Sequence, residues 1–181
     1  MFQNKIEIEN LIKQTDNRHE TEKIVAKLKF LKSTRNPFYL KIEEFEEILK
    51  WKLRNQLDRQ RKIRLKNTEK NINIVTKTAF MLNHKNPEVE IELKLKTLTL
   101  IYGVHIPVAS SILTLCYPER YSVIDYRNWR QIFKSKTKKT NYSTKDYILY
   151  LKHIQNYATK FNCTTQQIDI AIWQKDKNEF G

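Results

Sequence analysis

The sequence contains little glycine, little cysteine and no long apolar run. Its 181 residues include only two glycines, Gly103 and Gly181, whereas the Gly-rich phosphate loops of the dinucleotide type and the P-loop type each need several. Both kinds of nucleotide site are therefore excluded. The two cysteines, Cys116 and Cys163, stand far apart, so a disulfide framework and a four-cysteine iron–sulfur cluster are excluded as well.

Membrane and metal signals are also missing. No stretch reaches the roughly 18 apolar residues that a membrane span needs, and Glu7 and Glu9 interrupt the first apolar segment, which lacks the layout of a signal peptide. We therefore expect a cytoplasmic protein with no membrane partner. The four histidines are scattered and form no HExxH pattern, so no metal site is expected in the protein alone.

Positive charge is in large excess and is segregated along the chain. Lys and Arg number 34 against 20 Asp and Glu, a formal net charge of +14, which indicates a polyanionic partner because basic side chains that neutralise phosphates release counterions. Acidic residues gather instead at 43–47 and 88–92, which favours a binding face. The alternative is a Lys-rich composition inherited from an AT-rich genome. The predicted basic track for DNA consists of Lys52, Arg54, Arg59, Arg61, Lys62, Arg64, Arg127 and Arg130.

Hydrophobic periodicity predicts an all-α protein of seven or eight helices. Helical steps occur in residues 20–33, in 41–53 with the acidic residues on the outer face, and in 68–83, and capping-box patterns start further helices at Ser143 and Thr164. Residues 89–95 alternate like a strand, but no second segment alternates over a comparable length, so a helix is predicted. Residues 1–181 are expected to form a single compact helical domain, with two small lobes around a cleft as a variant, and a monomer is favoured.

The segment 98–133 carries a more specific pattern. It reads LTLIYGVHIPVASSILTLCYPERYSVIDYRNWRQIF, in which an apolar helix end leads into Gly103-Val104-His105, a new helix opens near Pro107, and Asp125 heads a further helix. This pattern resembles the helix-hairpin-helix DNA glycosylase superfamily. In that family a Gly-hydrophobic-Gly hairpin is followed, about twenty residues later, by a catalytic aspartate. The resemblance implies a helical DNA-binding fold and base-excision activity.

The hairpin is expected to hold a phosphate of the DNA backbone through Gly103, Val104, His105 and Pro107. Gly103 permits a turn with positive φ, and free N–H groups at the start of the following helix carry partial positive charge. His105 stands where the family has a second glycine, so a left-handed conformation there would carry a modest cost. A plain helix–helix corner without a ligand is the alternative. The resemblance also implies a monovalent cation, K⁺ or Na⁺, at the hairpin with DNA, and no other cofactor.

Asp125 is the predicted catalytic residue. By resemblance, its carboxylate stabilises the oxocarbenium-like sugar and positions or deprotonates the attacking water; alternatively, it only caps the helix that follows. Bifunctional relatives place a Schiff-base lysine at the position that Pro107 occupies here, so the resemblance implies a monofunctional enzyme without a lyase step. The aromatic residues predicted to stack a flipped base are Trp51, Tyr126, Trp129 and Trp173, with core packing as the alternative for each.

Three functions remain open at this point. The leading prediction is a monofunctional DNA glycosylase that acts on double-stranded DNA, and its first rival is a non-catalytic helix-hairpin-helix DNA-binding module. The second rival is a helical domain that binds RNA or protein. The first pair differ in whether Asp125 lines an open cleft beside aromatics, and the second rival predicts that the basic residues of 52–66 and the hairpin lie on different faces.

Overall fold

The computed structural model describes residues 1–181, apart from the side chain of Gln60, and within these residues it contains helices and no strands. The α-helices are α1 (Lys5–Lys13), α2 (Arg18–Thr34), α3 (Ile42–Leu53), α4 (Arg61–Arg64), α5 (Glu69–Met81), α6 (Pro87–Leu98), α7 (Ile106–Cys116), α8 (Tyr126–Phe133), α9 (Thr144–Phe161) and α10 (Thr165–Phe180). A 3-10 segment, Arg54–Gln60, joins α3 to α4. The all-α prediction is confirmed. No described helix combines the length and the apolar character required for a membrane span.

Helix α7 lies at the centre of the hydrophobic core. Every residue from Val108 to Cys116 is buried, and the helix packs against α2, α3 and α6. Its hydroxyl groups satisfy their hydrogen bonds locally, because Ser110 and Ser111 both donate to the carbonyl of Pro107. The last helix, α10, packs against α1, α8 and α9. The two ends of the chain therefore meet beside α8, the helix that Asp125 heads.

The local sequence signals place most helix boundaries. The observed ends of α2, α3 and α5 agree with the predicted ranges to about two residues. Both predicted capping boxes are formed: Ser143 with Asp146 opens α9, and Thr164 with Gln167 opens α10. Each box satisfies N–H groups that the first helical turn would otherwise leave unpaired.

The alternating segment 89–95 is helical, as predicted. Ile91, Leu95 and Leu98 are buried at helical spacing, whereas Leu93 is 40% exposed. The strand-like pattern arises because charged residues of α6 are buried too. Lys94 Nζ donates to the carbonyl of Leu82 at 2.6 Å, just beyond the end of α5. This hydrogen bond joins α6 to the C-terminal end of α5.

Two predictions about the helices are wrong. Ten α-helices occur in the described residues, more than the predicted seven or eight, because α1 and α4 were not anticipated; α1 has only Ile8 and Leu11 on its buried face. The acidic residues of α3 do not all lie on its outer face. Glu44 is buried and forms a bidentate ion pair with Arg35, with both N–O distances 2.8 Å.

Candidate active site

A cavity of about 150 Å³ opens where α3, α8 and α10 meet the connection between α1 and α2. Five residues that the sequence singled out line it: Trp51, Lys52, Arg54, Asp125 and Trp173. They come from three distant parts of the chain, so the fold brings together one carboxylate, two cations and two indole rings. Planar faces beside charged groups suit a flat, partly polar ligand such as a nucleobase.

Asp125 caps α8 and lines the cavity at the same time. Its Oδ1 accepts the N–H groups of Arg127 and Asn128, both at 3.0 Å, while its Oδ2 lies 3.7 Å from Lys52 Nζ. The side chain is 21% exposed. The two interpretations of Asp125 are therefore compatible, because one oxygen holds the helix and the other remains beside a cation in the cavity.

The tryptophan side chains at the cavity are held in place by polar partners. Trp51 Nε1 donates to Thr21 Oγ1 at 2.9 Å, which fixes the ring at the end of α3. The guanidinium of Arg127 lies 5.4 Å from the centroid of the Trp173 ring. Two fixed indoles are ready-made stacking surfaces, since little side-chain entropy remains to be lost on binding.

The other two predicted stacking residues do not line this cavity. Trp129 packs in an aromatic cluster, with its ring centroid 4.1 Å from that of Phe133 and 5.6 Å from that of Tyr142. Tyr126 lies beside basic side chains, with the guanidinium of Arg127 5.4 Å from its ring. Core packing, the alternative that the sequence left open, describes Trp129.

Two further polar residues, Asn128 and Asp169, line the cavity and were not singled out in the sequence. Asp169 is 5% exposed and accepts the N–H of Val123 at 2.9 Å. Burial raises its pKa to about 8, against the opposing effect of that hydrogen bond, and nearby Asp125 adds to the rise. A carboxyl group that keeps its proton near pH 7 can donate a hydrogen bond inside the cavity.

Asn128 supplies a second unusual polar atom. Its Nδ2 contacts Asp169 Oδ1 and Tyr150 Oη, but its Oδ1 is buried without a hydrogen-bond partner among the described residues. A sequence signal for both residues exists. Asn128 follows Asp125 by one helical turn, and Asp169 interrupts an apolar run one turn before Trp173, so each shares a helix face with a predicted site residue.

The end of α3 at the cavity has a strained backbone. Arg54, the first residue after α3, has φ 45° and ψ −120°, a combination that is costly for any residue with a Cβ. Lys52 and Arg54 line the cavity, whereas Leu53 and Gln56 line a groove on the other side. At the strained turn, neighbouring side chains therefore line two different concave sites that adjoin each other.

The hairpin adopts the predicted turn at one of its two key positions. Gly103 has φ 79°, a left-handed backbone conformation that glycine adopts without strain. His105 has φ −110° and ψ 174°, an extended conformation, so the expected cost of a left-handed histidine does not arise and no second glycine is needed there. The turn is fixed by Asn67, which donates to the carbonyl of Tyr102 at 2.9 Å and accepts its N–H at 3.0 Å.

The hairpin and part of the basic track border the same groove, which has a volume of about 700 Å³. Gly103, His105 and Pro107 line it together with Arg59 and Arg64. Val104, also predicted to hold phosphate, is only 3% exposed and belongs to the core. Arg61 and Lys62 are exposed and do not line the groove.

The carbonyl oxygens of the hairpin are the groups that would hold the implied monovalent cation. Those of Ile101, Tyr102 and His105 accept hydrogen bonds from Val104, Asn67 and the first turn of α7, whereas those of Gly103 and Val104 accept none among the described residues. The cation therefore stays a prediction.

Besides Lys52, which lies beside Asp125, two members of the predicted basic track have an acidic partner inside the protein. Arg127 and Arg130 lie 3.1 Å and 2.6 Å from Oδ2 of Asp176, a carboxylate with no exposed surface. Their guanidinium groups neutralise a buried charge that would otherwise be very unfavourable. Both arginines therefore have a structural role between α8 and α10, and their contact with DNA stays a prediction.

Comparisons of the chain with protein-family models, with curated proteins and with solved structures found no match. The features of the chain that bear on its function are therefore the motif in residues 98–133 and the geometry of the cavity and groove.

Proposed function

We propose that this protein is a DNA glycosylase that removes a base from double-stranded DNA by means of Asp125 and water. One observation carries the proposal: Asp125 keeps one carboxylate oxygen clear of its helix cap, in a cavity lined by Trp51 and Trp173. The groove beside the hairpin adds a basic surface next to that cavity. A glycosylase needs both, because it must grip the duplex and receive an extruded nucleotide.

In the proposed reaction, four of the cavity residues have distinct roles. The flipped base stacks against the indoles of Trp51 and Trp173. As the N-glycosidic bond breaks, its electron pair leaves with the base, and the carboxylate of Asp125 stabilises the positive charge that develops on the sugar. Water then attacks C1′ and gives its proton to Asp125. The neutral carboxyl of Asp169 supplies a hydrogen-bond donor to the departing base, and the base takes up a proton from solvent.

Lys52 supports a second route at the same site. The sequence argument against a lyase step concerned position 107, but an amine is present in the cavity, with Lys52 Nζ 3.7 Å from Asp125 Oδ2. After transfer of its proton to Asp125, this amine could attack C1′ as the base leaves with the electron pair of the N-glycosidic bond. Cleavage of the C1′–O4′ bond, with a proton passing from the new amine to O4′, then gives an iminium adduct that leads to strand cleavage by β-elimination. Water remains the proposed nucleophile, because Pro107 occupies the position at which bifunctional relatives carry their lysine.

The test is a base-release assay on duplexes that carry alkylated, deaminated, oxidised or hypermodified bases, with abasic sites revealed by alkali. Asp125→Asn preserves the shape of the cap and should lower the release rate by about 10²–10⁴-fold while duplex binding persists. Glu119→Gln, at an exposed position outside both the cavity and the groove, is the matched control and should be unaffected.

Each alternative has its own outcome in this assay. Strand nicking before alkali, with a borohydride-trapped adduct that Lys52→Gln abolishes, would replace water by the amine route. No release from any duplex, with tight and salt-sensitive binding that Asp125→Asn retains, would identify a non-catalytic DNA-binding module. Absence of both activities would favour a helical domain for RNA or protein.

A further inference from the structure

Arg64, in the short helix α4, is a buried cation without a counterion. It is 6% exposed, and its Nε and Nη1 have no hydrogen-bond partner among the described residues. The other buried or half-buried arginines behave differently, since Arg35 pairs with Glu44 and Arg127 pairs with Asp176. Buried charged groups without a partner are rare because desolvation is costly. A buried guanidinium without a partner is therefore a candidate binding group for an anion.

The surroundings of Arg64 favour an anion over a protein carboxylate. The groove that it lines also contains Arg59 and His105 but no aspartate or glutamate among its described residues. A smaller depression on another side of Arg64 contains Glu46 and Asp58, yet neither forms an ion pair with it within the described part of the chain. The protein therefore leaves this positive charge uncompensated.

One helix N-terminus adds to the positive potential of the groove. Ile106 begins α7 and lines the groove, whereas the N-terminus of α9 at Thr144 is already occupied by the carboxylate of Asp146. The cap residue of α7, His105, makes no side-chain hydrogen bond to the first turn. The partial positive charge at the start of a long helix favours anions, and here it coincides with the unpaired guanidinium.

We propose that Arg64 is the centre of a phosphate-binding site, and that a phosphodiester of the DNA backbone occupies it. The inference rests on the proposed action on duplex DNA and identifies which basic residue grips the strand. The end of α3 separates the groove from the cavity of Asp125, so a nucleotide with its base in the cavity would place a neighbouring phosphate near the groove. A guanidinium matches two phosphate oxygens at once.

The experiment compares Arg64→Met, which keeps the length of the side chain, with Arg64→Lys and with the control Lys70→Met. Lys70 is exposed on α5 and lies outside the groove, so the control removes the same charge elsewhere. Two readouts are measured for each: the shift in Tm caused by inorganic phosphate at constant ionic strength, and the salt dependence of binding to a 20-base-pair duplex.

We expect Arg64→Met to raise Tm by about 2–4 °C without phosphate, since a buried unpaired charge is removed. It should also abolish the stabilisation by phosphate, weaken duplex binding about tenfold or more and lower the salt slope by about one. Arg64→Lys should retain part of each response, and Lys70→Met should keep the phosphate shift of the wild type.

Three results would overturn the proposal. A fall in Tm for Arg64→Met together with an unchanged phosphate shift would show that Arg64 is structural. A phosphate shift that depends on Arg64, without any change in the duplex salt slope, would reject the DNA backbone as the occupant. Responses identical to those of Lys70→Met would show only general charge. Base release is absent from these readouts, so a failure of the glycosylase proposal remains separate from a failure here.

Discussion

The cavity and the groove adjoin at the end of α3, where Lys52 and Arg54 line the cavity and Leu53 lines the groove, but their charges are paired differently. On the cavity side the less exposed charges have partners in the protein: Lys52 lies beside Asp125, and on α8, the helix that Asp125 heads, Arg127 and Arg130 neutralise the buried Asp176. The exposed Arg54 also lines the cavity. In the groove, Arg64 has no partner among the described residues. The difference indicates that the cavity is organised in advance for chemistry, whereas the groove is completed by a ligand from outside.

The largest effect that would test this contrast is expected on the cavity side. Asp176→Asn leaves two arginines next to a neutral amide in a fully buried position, and breaking such a cluster costs about 3–5 kcal/mol of the free energy of unfolding. Chemical denaturation should show this loss, whereas Arg64→Met in the groove should show a gain.

The sign of the two changes is what matters. If Asp176→Asn is neutral, or if Arg64→Met destabilises the protein by a similar amount, the two regions do not differ in their pairing of charge. Lys177, on the same helix as Asp176, forms an exposed ion pair with Asp16. Lys177→Gln removes this pair, so it is a suitable control and should change stability little.

Stacking in the cavity should be separable from grip in the groove. Trp51→Leu removes an aromatic face at the cavity, and one stacked base is worth about 1–3 kcal/mol, so kcat/KM for base release should fall by about 5- to 150-fold. Trp51→Phe, which keeps a ring, should recover much of this loss.

The same variant leaves Arg64 untouched, and the salt slope of duplex binding should therefore stay at its wild-type value. A change in that slope for Trp51→Leu would indicate that cavity and groove are one coupled surface. An undiminished kcat/KM would remove Trp51 from the site.

The fold was largely predictable because its signals are local. Ser143 and Thr164 carry their capping partners three residues away, and Gly103 marks the turn without any tertiary information. Helix α1 was missed since two buried apolar residues give too weak a periodicity, and the burial of Glu44 depends on Arg35, which belongs to a different helix.

The candidate site was predictable where a motif or a composition change marks it, as at Asp125 and Trp51. It was not predictable where the decisive contact is tertiary. Arg130 and Arg64 look alike in the sequence, yet only Arg130 pairs with a carboxylate of the protein, that of Asp176, which lies 46 residues further along the chain. Charge in a sequence therefore suggests a polyanionic partner, but whether a given arginine is available depends on what the fold places beside it.

The most gradual effect, spread over several pH units, concerns the proton on Asp169. Its pKa is raised from 3.8 to about 8 by burial, so between about pH 4 and pH 8 the folded protein keeps a proton that the unfolded chain releases. Stability should therefore fall as the pH rises through this window, by at most about 1.4 kcal/mol per pH unit, and the loss should be complete above pH 8.

Asp169→Asn cannot ionise and still offers an acceptor to the N–H of Val123. The difference in unfolding free energy between wild type and variant should therefore vary with pH between about 4 and 8 and level off on either side. Carboxylates with lowered pKa values, such as Glu44 and Asp146, affect both proteins alike and cancel in the difference. A difference that is flat across the window would mean that Asp169 ionises normally and cannot serve as a donor in the cavity. The same difference should be unaltered by added phosphate, because the ion is expected at Arg64 in the groove, whereas Asp169 lines the cavity.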